Sequence, residues 1–518
     1  MQIFDTLLIV TLFVFIGFGY TADSKRPLWL VYFPIVALVL AFIQIFIEGY
    51  RWQMVPAYIV VLLSQIYLFR RLKKDKQKNN VQKVNSRWAN VRRIFATSSA
   101  ILVLLSSVLF SYFLPIFDLP KPTGTYAVGS SELHLIDETR LETYTSNPTD
   151  KRELVVRVWY PAGADFRGDK NPMPYWPHAS ILSAALGRMS SLPSFLLSHL
   201  DNVSAHSYWQ VPVSKLQSDY PVLIFSHGFG QYATQNIHLM ESLASHGYII
   251  FAIDHAYAGM GSIFPDGRVA LFNKKAFAAL GGQPTPELMA LFDEVSSTSY
   301  WKKQVELMVK AESMMGGPEI INEALAIWEA DQRFVLTELE KLHLGVKSKA
   351  NNLNPNSFIF QGRLGLSRLG LFGMSFGGST SLGNCIKDNR CKAGINMDGF
   401  MLSQTALPAL QRPFMFMNSE TNHMYNAMFE IAEDDVYSVS IDGATHGNYS
   451  DFSIISPLFE IVGVTGSIDG YQMLTITEDY VRAFFDKHLK GRGTSLLDQT
   501  TNKYAEVTFR TKSKSSSD

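Results

Sequence analysis

The stretch Gly373-Met374-Ser375-Phe376-Gly377 has the spacing G-x-S-x-G, and it decides how the rest of the chain is interpreted. An apolar run at 369–372 precedes it, and small residues at 378–381, then Leu382, follow it. A buried strand that turns at glycine into a helix is typical of a nucleophile elbow, which exposes its serine at the edge of a sheet. Side chains at the two outer positions would collide with the adjoining strand and helix. The pattern predicts Ser375 as a nucleophile, and an ordinary glycine-containing turn is the alternative.

Apolar runs on both sides of this stretch predict an α/β fold with a mostly parallel central sheet and helices on both faces. Residues 220–226 and 248–253 are apolar runs joined by a helical segment, the pattern of a βαβ unit. Earlier, short antiparallel edge strands are predicted at 126–128, 133–136 and 153–160, the last ending at Pro161. The remaining predictions are strands at 368–373, 393–397, 413–418 and 436–441 and a closing helix at 477–489.

A helical insertion is predicted at 271–344, because this segment is longer than an ordinary crossover helix and is typical of a cap or lid. Its several methionines have flexible side chains that adapt to lipidic ligands, although ordinary packing is the alternative. The predicted domains are a membrane region at 1–118, an α/β domain at 119–500 and a polar tail at 501–518.

Four N-terminal stretches, 3–20, 28–47, 54–69 and 94–117, approach or exceed the length needed to span a bilayer. A cleaved signal peptide is the alternative for the first, and a buried core helix for the third. Between the last two stretches, residues 70–93 contain ten Lys and Arg residues against one Asp. Short basic loops stay cytoplasmic. The expected topology therefore places both the N-terminus and the C-terminal domain outside the cytoplasm, on the periplasmic or extracellular side.

Composition excludes several classes of function. The formal net charge of the 518 residues is +0, so nothing global favours a nucleic-acid partner. The two cysteines, Cys385 and Cys391, are too few for a disulfide scaffold and wrongly spaced for zinc. In an oxidising compartment they could form a disulfide, with buried free thiols as the alternative. No Walker loop or dinucleotide fingerprint is present, so neither a cofactor nor a metal is expected, and the oligomeric state stays open.

A serine nucleophile needs a base and an orienting carboxylate, which in α/β-hydrolases follow the serine in the order acid, then histidine. Asp398 stands where an apolar strand ends, and His446 lies in the loop after the strand at 436–441. They are the predicted acid and base, although a turn-capping aspartate and a surface histidine are the alternatives. The competing residues are His423 as base and Asp442 and Asp254 as acids.

The tetrahedral intermediate needs backbone N–H donors, one from the residue after the nucleophile and one from the loop after the third strand of the sheet. The predicted donors are Phe376 and Phe229. Gly228 and Gly230 let the second loop approach the substrate closely, and His227 is expected to support this loop rather than transfer protons.

The order of these motifs from about 123 to 489 resembles the plasma-type (isoform II) platelet-activating factor acetylhydrolases of the α/β-hydrolase superfamily. The resemblance rests on the segments at 124–129, 158–161, 225–230, 243–248, 373–378, 418–420 and 445–452, together with Asp398. It implies a calcium-independent lipase or esterase that cleaves short or oxidised sn-2 acyl chains from phospholipids. Ser375, Asp398 and His446 would be its triad, with Phe229 and Phe376 as oxyanion donors.

Two departures from the family pattern concern the substrate more than the chemistry. Met374 stands where the family usually has histidine, and the insertion and membrane spans are not typical of it. Met374 and Phe400 could shape an acyl pocket, with a role in the core as the alternative. The alternative functions are a general carboxylesterase or polyester hydrolase of dienelactone-hydrolase type and, from another class, a non-catalytic membrane scaffold.

Overall fold

A computed structural model describes residues 2–18, 28–76, 87–163, 172–190, 193–273, 285–315, 318–347, 357–399, 410–498 and 503–513. Its first four helices are apolar: α1 (Ile3–Gly17), α2 (Phe33–Ile47), α3 (Val55–Lys76) and α4 (Arg87–Phe113). Three helical stretches, Trp29–Ile47, Trp52–Lys73 and Asn90–Phe113, which overlap α2, α3 and α4, are long and apolar enough to cross a membrane. The shorter α1 has 15 residues. It therefore rises about 22 Å, less than the roughly 30 Å of a hydrocarbon core.

The four apolar helices form an antiparallel bundle. Glu48, just after α2, accepts a hydrogen bond from the backbone N–H of Phe4 in α1 (2.8 Å). Gln53, just before α3, donates to the carbonyl of Leu114 after α4 (3.0 Å). These four helix ends therefore lie together, and the basic residues of 70–73 and 87–93 lie at the opposite end.

The C-terminal domain contacts the bundle at the end that holds the start of α1. The indole N–H of Trp52 donates to the carbonyl of Leu196 (3.1 Å), and the ring packs against Phe195 with centroids 5.0 Å apart. The hydroxyl of Ser456 donates to the carbonyl of Phe113 at the end of α4. The C-terminal domain and the N-terminal end of α1 thus share one side of the bundle.

A ten-stranded sheet, in the order β12-β11-β10-β9-β8-β4-β5-β2-β1-β3, forms the centre of the C-terminal domain within the described residues. Strands β4, β5 and β8 to β11 run parallel, while β2 and β12 pair antiparallel with β5 and β11. Parallel strands end at the same edge, so the loops after β4, β8, β9 and β11 lie together. The strands are β1 (Ala127–Leu141), β2 (Lys151–Ala162), β3 (Ser207–Trp209), β4 (Tyr220–Ser226), β5 (Ile249–Asp254), β6 (Gly261–Ile263), β7 (Val269–Leu271), β8 (Leu364–Met374), β9 (Ala393–Met397), β10 (Phe414–Ser419), β11 (Val436–Ile441) and β12 (Val507–Lys512).

Helices cover both faces of the sheet, which confirms the predicted α/β fold. Alternate residues of β4 belong to different apolar clusters: Leu223 and Phe225 pack with the helix Gly470–Lys490, and Ile224 packs with the helix Pro318–His343. The insertion between β7 and β8 contains α7, α8 and α9. The helices are α5 (Ala179–Ser190), α6 (Ile237–Ser245), α7 (Pro286–Ser297), α8 (Trp301–Met314), α9 (Pro318–His343), α10 (Phe376–Lys387), α11 (Asn426–Ile431), α12 (Phe452–Ile455), α13 (Leu458–Ile461) and α14 (Gly470–Lys490).

Three details differ from the sequence predictions. The two short strands expected at 126–136 form one strand, β1, with a 15-residue span. Pro161 lies within β2, opposite Val128, one residue before the strand ends, which is a position a sheet tolerates for proline. The tail expected from 501 contains β12, an edge strand that pairs with β11. In addition, Cys385 and Cys391 form a disulfide, with Cα atoms 5.1 Å apart.

Candidate active site

Ser375 lies in the sharp turn between β8 and α10. Its φ of 56° and ψ of −124° form a strained conformation for a residue with a side chain. A Cβ at Gly373 would lie 2.4 Å from the backbone of Gly377, and one at Gly377 would lie 2.0 Å from the carbonyl oxygen of Ser226. No side chain fits at these distances, so both outer glycines of the pentapeptide are required for the turn.

Ser375, His446 and Asp398 form a continuous chain of hydrogen bonds. Ser375 Oγ is 3.0 Å from His446 Nε2, and His446 Nδ1 is 2.7 Å from Asp398 Oδ2. When Nδ1–H donates to the carboxylate, Nε2 is left unprotonated and can accept the serine proton. The three residues follow β8, β9 and β11, so the folded sheet edge brings together groups that are distant in sequence.

Asp398 is held as a carboxylate by several donors. Burial by itself would raise its pKa, but the hydrogen bond from His446, with those from the Ser419 N–H (2.7 Å) and the Asn422 amide (3.0 Å), outweighs burial and lowers the pKa. Its φ of 51° turns the backbone sharply at the end of β9. The carboxylate is therefore fixed in position and charge before any substrate binds.

The competing residues have other partners in the structure. The backbone N–H of His423 donates to Gln304 of α8, and burial lowers the pKa of the His423 imidazole. The backbone N–H of Asp442 donates to the carbonyl of Glu506 beside β12. Asp254, at the end of β5, lies nearest to His227 among the described basic residues, at 3.4 Å. His446 is hydrogen-bonded to Ser375, whereas His423, Asp442 and Asp254 are not connected to Ser375 by hydrogen bonds among the described residues.

The loop after β4 holds Phe229 beside the nucleophile. Within the described residues, neither the N–H of Phe229 nor that of Phe376 donates to a protein acceptor, so both are available to an oxyanion. The N–H of Gly228 donates to the Gln235 side chain (2.9 Å), which fixes the loop. A Cβ at Gly228 would lie 2.9 Å from the sulfur of Met374, so a larger residue here would displace the Met374 side chain.

A cavity of about 230 Å³ opens onto Ser375 and His446. Met374 lines it, and Phe400 lies outside the described residues. The sequence analysis missed the part of the wall that follows His446. That part consists of Gly447, Ser450, Phe452 and Val464.

A second Ser-His-Asp chain, also missed from the sequence, is buried behind the loop after β4. Ser226 Oγ is 3.0 Å from His255 Nε2, and His255 Nδ1 is 2.9 Å from Asp331 Oδ2. All three side chains are fully buried, and burial lowers the pKa of His255 to about 3. The backbone N–H of His255 donates to His227 Nε2 (3.1 Å). This buried hydrogen-bonded network therefore supports the loop from behind, and substrate cannot reach it.

Asp451 anchors the loop that carries His446. Its Oδ2 accepts the backbone N–H of Ile237 (2.8 Å) and the hydroxyl of Tyr175 (3.2 Å). Burial raises the pKa of Asp451 to about 7, and the nearby His238 partly offsets this rise. The loop is thus tied to α6 through a carboxyl group that titrates near neutral pH.

We expect this carboxyl group to make the protein less stable as the pH rises from about 4 to 7. Between the ordinary pKa of 3.8 and the folded value of about 7, the folded state binds the proton of Asp451 more strongly than the unfolded state does. The stability that this proton contributes is therefore lost through that range. The measurement is the unfolding temperature of wild type and Asp451→Asn at several pH values. His238 also titrates, so the difference between the two proteins is the test, and equal pH dependences would contradict the prediction.

The family model described as platelet-activating factor acetylhydrolase, isoform II, matches residues 113–503 of this chain. The chain belongs to this family. It is an ester hydrolase, as the resemblance implied, and the enzyme prediction is confirmed. The matched residues of the platelet-activating factor acetylhydrolase family begin at the end of α4 and contain the whole sheet except β12.

Two relatives and one solved structure show the extent of the similarity to the acetylhydrolase family and its fold. The platelet-activating factor acetylhydrolase of Canis lupus familiaris is 24% identical over 385 residues, covering 72% of this chain and 77% of its own. The probable 1-alkyl-2-acetylglycerophosphocholine esterase of Arthroderma benhamiae is 24% identical over 441 residues, covering 79% and 98%. A ferulic acid esterase from Streptomyces cinnamoneus aligns with a TM-score of 0.56 at 22% identity, covering 76% of this chain and 99% of its own, which supports the fold.

Proposed function

We propose that this protein is a membrane-anchored serine esterase that removes short or oxidised acyl chains from phospholipids. The observation that carries the proposal is the hydrogen-bonded chain from Ser375 Oγ through His446 to Asp398. The buried alternative, Ser226-His255-Asp331, has similar contacts but no access to substrate.

The first half of the reaction acylates Ser375. His446 Nε2 takes the hydroxyl proton as Ser375 Oγ attacks the ester carbonyl carbon. The negative charge on the carbonyl oxygen is stabilised by the N–H groups of Phe229 and Phe376. When the tetrahedral intermediate collapses, the ester bond breaks, and His446 gives its proton to the departing alcohol. The acyl group is left on Ser375.

The second half releases the acid. A water molecule enters the position vacated by the alcohol, and His446 Nε2 takes a proton from it as the water oxygen attacks the acyl carbon. The same two N–H groups stabilise the second oxyanion. Collapse breaks the bond to Ser375 Oγ, which takes back the proton from His446. Throughout both halves, Asp398 stabilises the positive charge on the imidazole.

The surroundings of the cavity favour an amphipathic substrate with a short acyl chain. Its volume of about 230 Å³ lies below the roughly 300–1,000 Å³ typical of small-molecule sites. Val464 lines the cavity, and Ile461 and Val462 just before it are 69% and 65% exposed. The same segment contacts the end of α4 through Ser456. An apolar rim beside a helix that we propose to span the membrane suits an ester that arrives from a lipid surface. A lipid ester is also the substrate that the names of the acetylhydrolase relatives indicate for those proteins.

The proposal is tested with the purified full chain and a graded set of esters. We expect fluorophosphonate to label Ser375, and we expect hydrolysis of sn-2 acetyl phosphatidylcholine to exceed that of the sn-2 palmitoyl lipid by at least about tenfold, because the cavity is small. Simple esters such as p-nitrophenyl acetate serve as the comparison for a general carboxylesterase. Absence of labelling would contradict the esterase mechanism, whereas labelling with equal rates on both phospholipids would contradict only the acyl preference.

We further propose that the apolar helices span a membrane with the C-terminal domain on the extracytoplasmic side. The basic residues flanking the loop between α3 and α4 lie at the end of the bundle opposite this domain, and basic loops stay cytoplasmic. The oxidised pair Cys385 and Cys391 suits the same side. We expect alkaline phosphatase fused after 518 to be active and a cytoplasmic fluorescent reporter at that point to be dark. The reverse pattern would contradict this topology.

A further inference from the structure

A second cavity, of about 270 Å³, lies at the end of β5 beside the loop that carries Phe229. Three aromatic side chains contribute to its wall: Trp176, Tyr232 and Phe264. The rings of Trp176 and Tyr232 lie 5.1 Å apart with an interplanar angle of 35°. The charged lining residues are Asp254, Glu132 and Arg157, and the exposed His178 lies at the rim. The cavity is thus aromatic with an excess of carboxylate groups.

Asp254 is the buried carboxyl group in the wall of this cavity. The residue is 8% exposed, and its Oδ1 has no hydrogen-bond partner in the part of the chain that the structure describes. His227 Nε2 lies 3.4 Å away, but it accepts the backbone N–H of His255 (3.1 Å). With that nitrogen acting as acceptor, His227 Nδ1–H donates to the carbonyl of Gly228 (2.7 Å). In this hydrogen-bond pattern, no ring N–H of His227 is directed at Asp254.

The other charges of the cavity do not compensate Asp254. Arg157 pairs with Glu132 at 3.0 Å and stacks its guanidinium 5.2 Å from the ring of Trp209. Its positive charge is thus matched by Glu132, which leaves Asp254 as the surplus carboxylate. A buried carboxylate without a donor is costly unless it gains a proton or a cation.

We propose that this cavity binds an organic ammonium cation, with Asp254 as its counter-ion. Aromatic faces attract quaternary ammonium groups, and the attraction is largest where water is excluded. Choline, a small quaternary ammonium ion, is the simplest probe of this chemistry. This site goes beyond the proposed esterase function and uses none of the hydrogen-bonded side chains Ser375, His446 and Asp398.

The test is a calorimetric titration of the full chain with choline chloride, in a detergent that contains no choline group. A parallel titration with sodium chloride controls for ionic strength. We expect Asp254→Asn to weaken choline binding by at least about tenfold, because the counter-ion is lost. The matched control is Asp498→Asn, which removes the same charge from an exposed residue that neither lines the cavity nor adjoins a lining residue in sequence, and it is expected to change affinity less than about twofold. Phe264→Leu is expected to weaken choline binding at least about threefold.

Absence of saturable choline binding, or equal affinity in wild type and Asp254→Asn, would overturn the proposal. If Asp254→Asn does not fold, Phe264→Leu decides, and unchanged affinity in that variant overturns the proposal. Titrations are repeated on Ser375→Ala, so binding is measured independently of hydrolysis.

Steady-state kinetics identify the source of the ligand. A KM raised by Asp254→Asn for the choline lipid, but not for the matching glycerol lipid, identifies a lipid headgroup. Binding with both KM values unchanged identifies a free ammonium solute.

Discussion

Replacing Ser375 by alanine is expected to lower kcat/KM for p-nitrophenyl acetate by at least about 10⁴-fold, because the proposed mechanism has no other nucleophile. Fluorophosphonate labelling is expected to disappear in the same variant. The loss should fall on kcat, since the oxyanion donors and the cavity wall are unchanged. The unfolding temperature should stay within a few degrees of wild type, because the hydroxyl group contributes little to the packing.

Ser226→Ala is the matched control for this experiment, because Ser226 also bonds to a histidine that bonds to an aspartate. Ser226 is fully buried, so its hydroxyl cannot reach an ester. We expect activity within about tenfold of wild type and some loss of stability, because Gln332 and His255 lose a buried partner. Comparable losses of labelling in the two variants, or an active Ser375→Ala, would contradict the assignment of Ser375 as nucleophile.

Much of the sheet could be predicted because its central strands are buried on both faces. The predicted bounds of 220–226, 393–397 and 436–441 agree with β4, β9 and β11, in which apolar residues outnumber polar ones and nearly every residue is buried. The edge strand β12 was missed because only Val507 and Phe509 are apolar in a stretch otherwise made of polar residues. Its strand conformation depends on pairing with β11, which is a long-range contact without a local signal.

The residues proposed as the triad could be selected because motif order, apolar strand ends and residue type point to the same positions. The pairing of His446 with Asp398 rather than with a competing acid needed the sheet, which brings together the ends of β9 and β11. The buried network around Asp331 gave no such signal. Asp331 and Gln332 lie in the helical insertion, more than 70 residues from His255 and more than 100 from Ser226. Nothing in a polar stretch of α9 indicates contact with the loop after β4.

Asp331→Asn and Asp398→Asn are expected to have opposite effects on stability and activity. Asp331 is fully buried and pairs with Arg152 through two bonds of 2.6 and 3.1 Å. Burial disfavours its charge, but Arg152 and His255 outweigh burial and hold the pKa of Asp331 well below its usual range. Removing the charge leaves Arg152 buried with Glu142 as its remaining carboxylate partner. We expect this substitution to lower the free energy of unfolding by about 3–5 kcal/mol, the usual cost of breaking a buried pair.

Asp398→Asn should keep the fold, because the amide oxygen can still accept from Ser419, but it removes the acceptor that fixes the Nδ1–H form of His446. With the proton on Nε2 instead, the imidazole cannot take the proton of Ser375, and kcat is expected to fall by about 10⁴-fold. Chemical denaturation and steady-state kinetics on both variants give the measurement. At temperatures where Asp331→Asn is folded, its kcat should stay within about tenfold of wild type, because Asp331 acts on the loop and not on the nucleophile. If Asp331→Asn instead abolished kcat without loss of stability, the buried Ser226-His255-Asp331 network would take part in the reaction. The assignment of a supporting role to this network and a catalytic role to Ser375-His446-Asp398 would then be wrong.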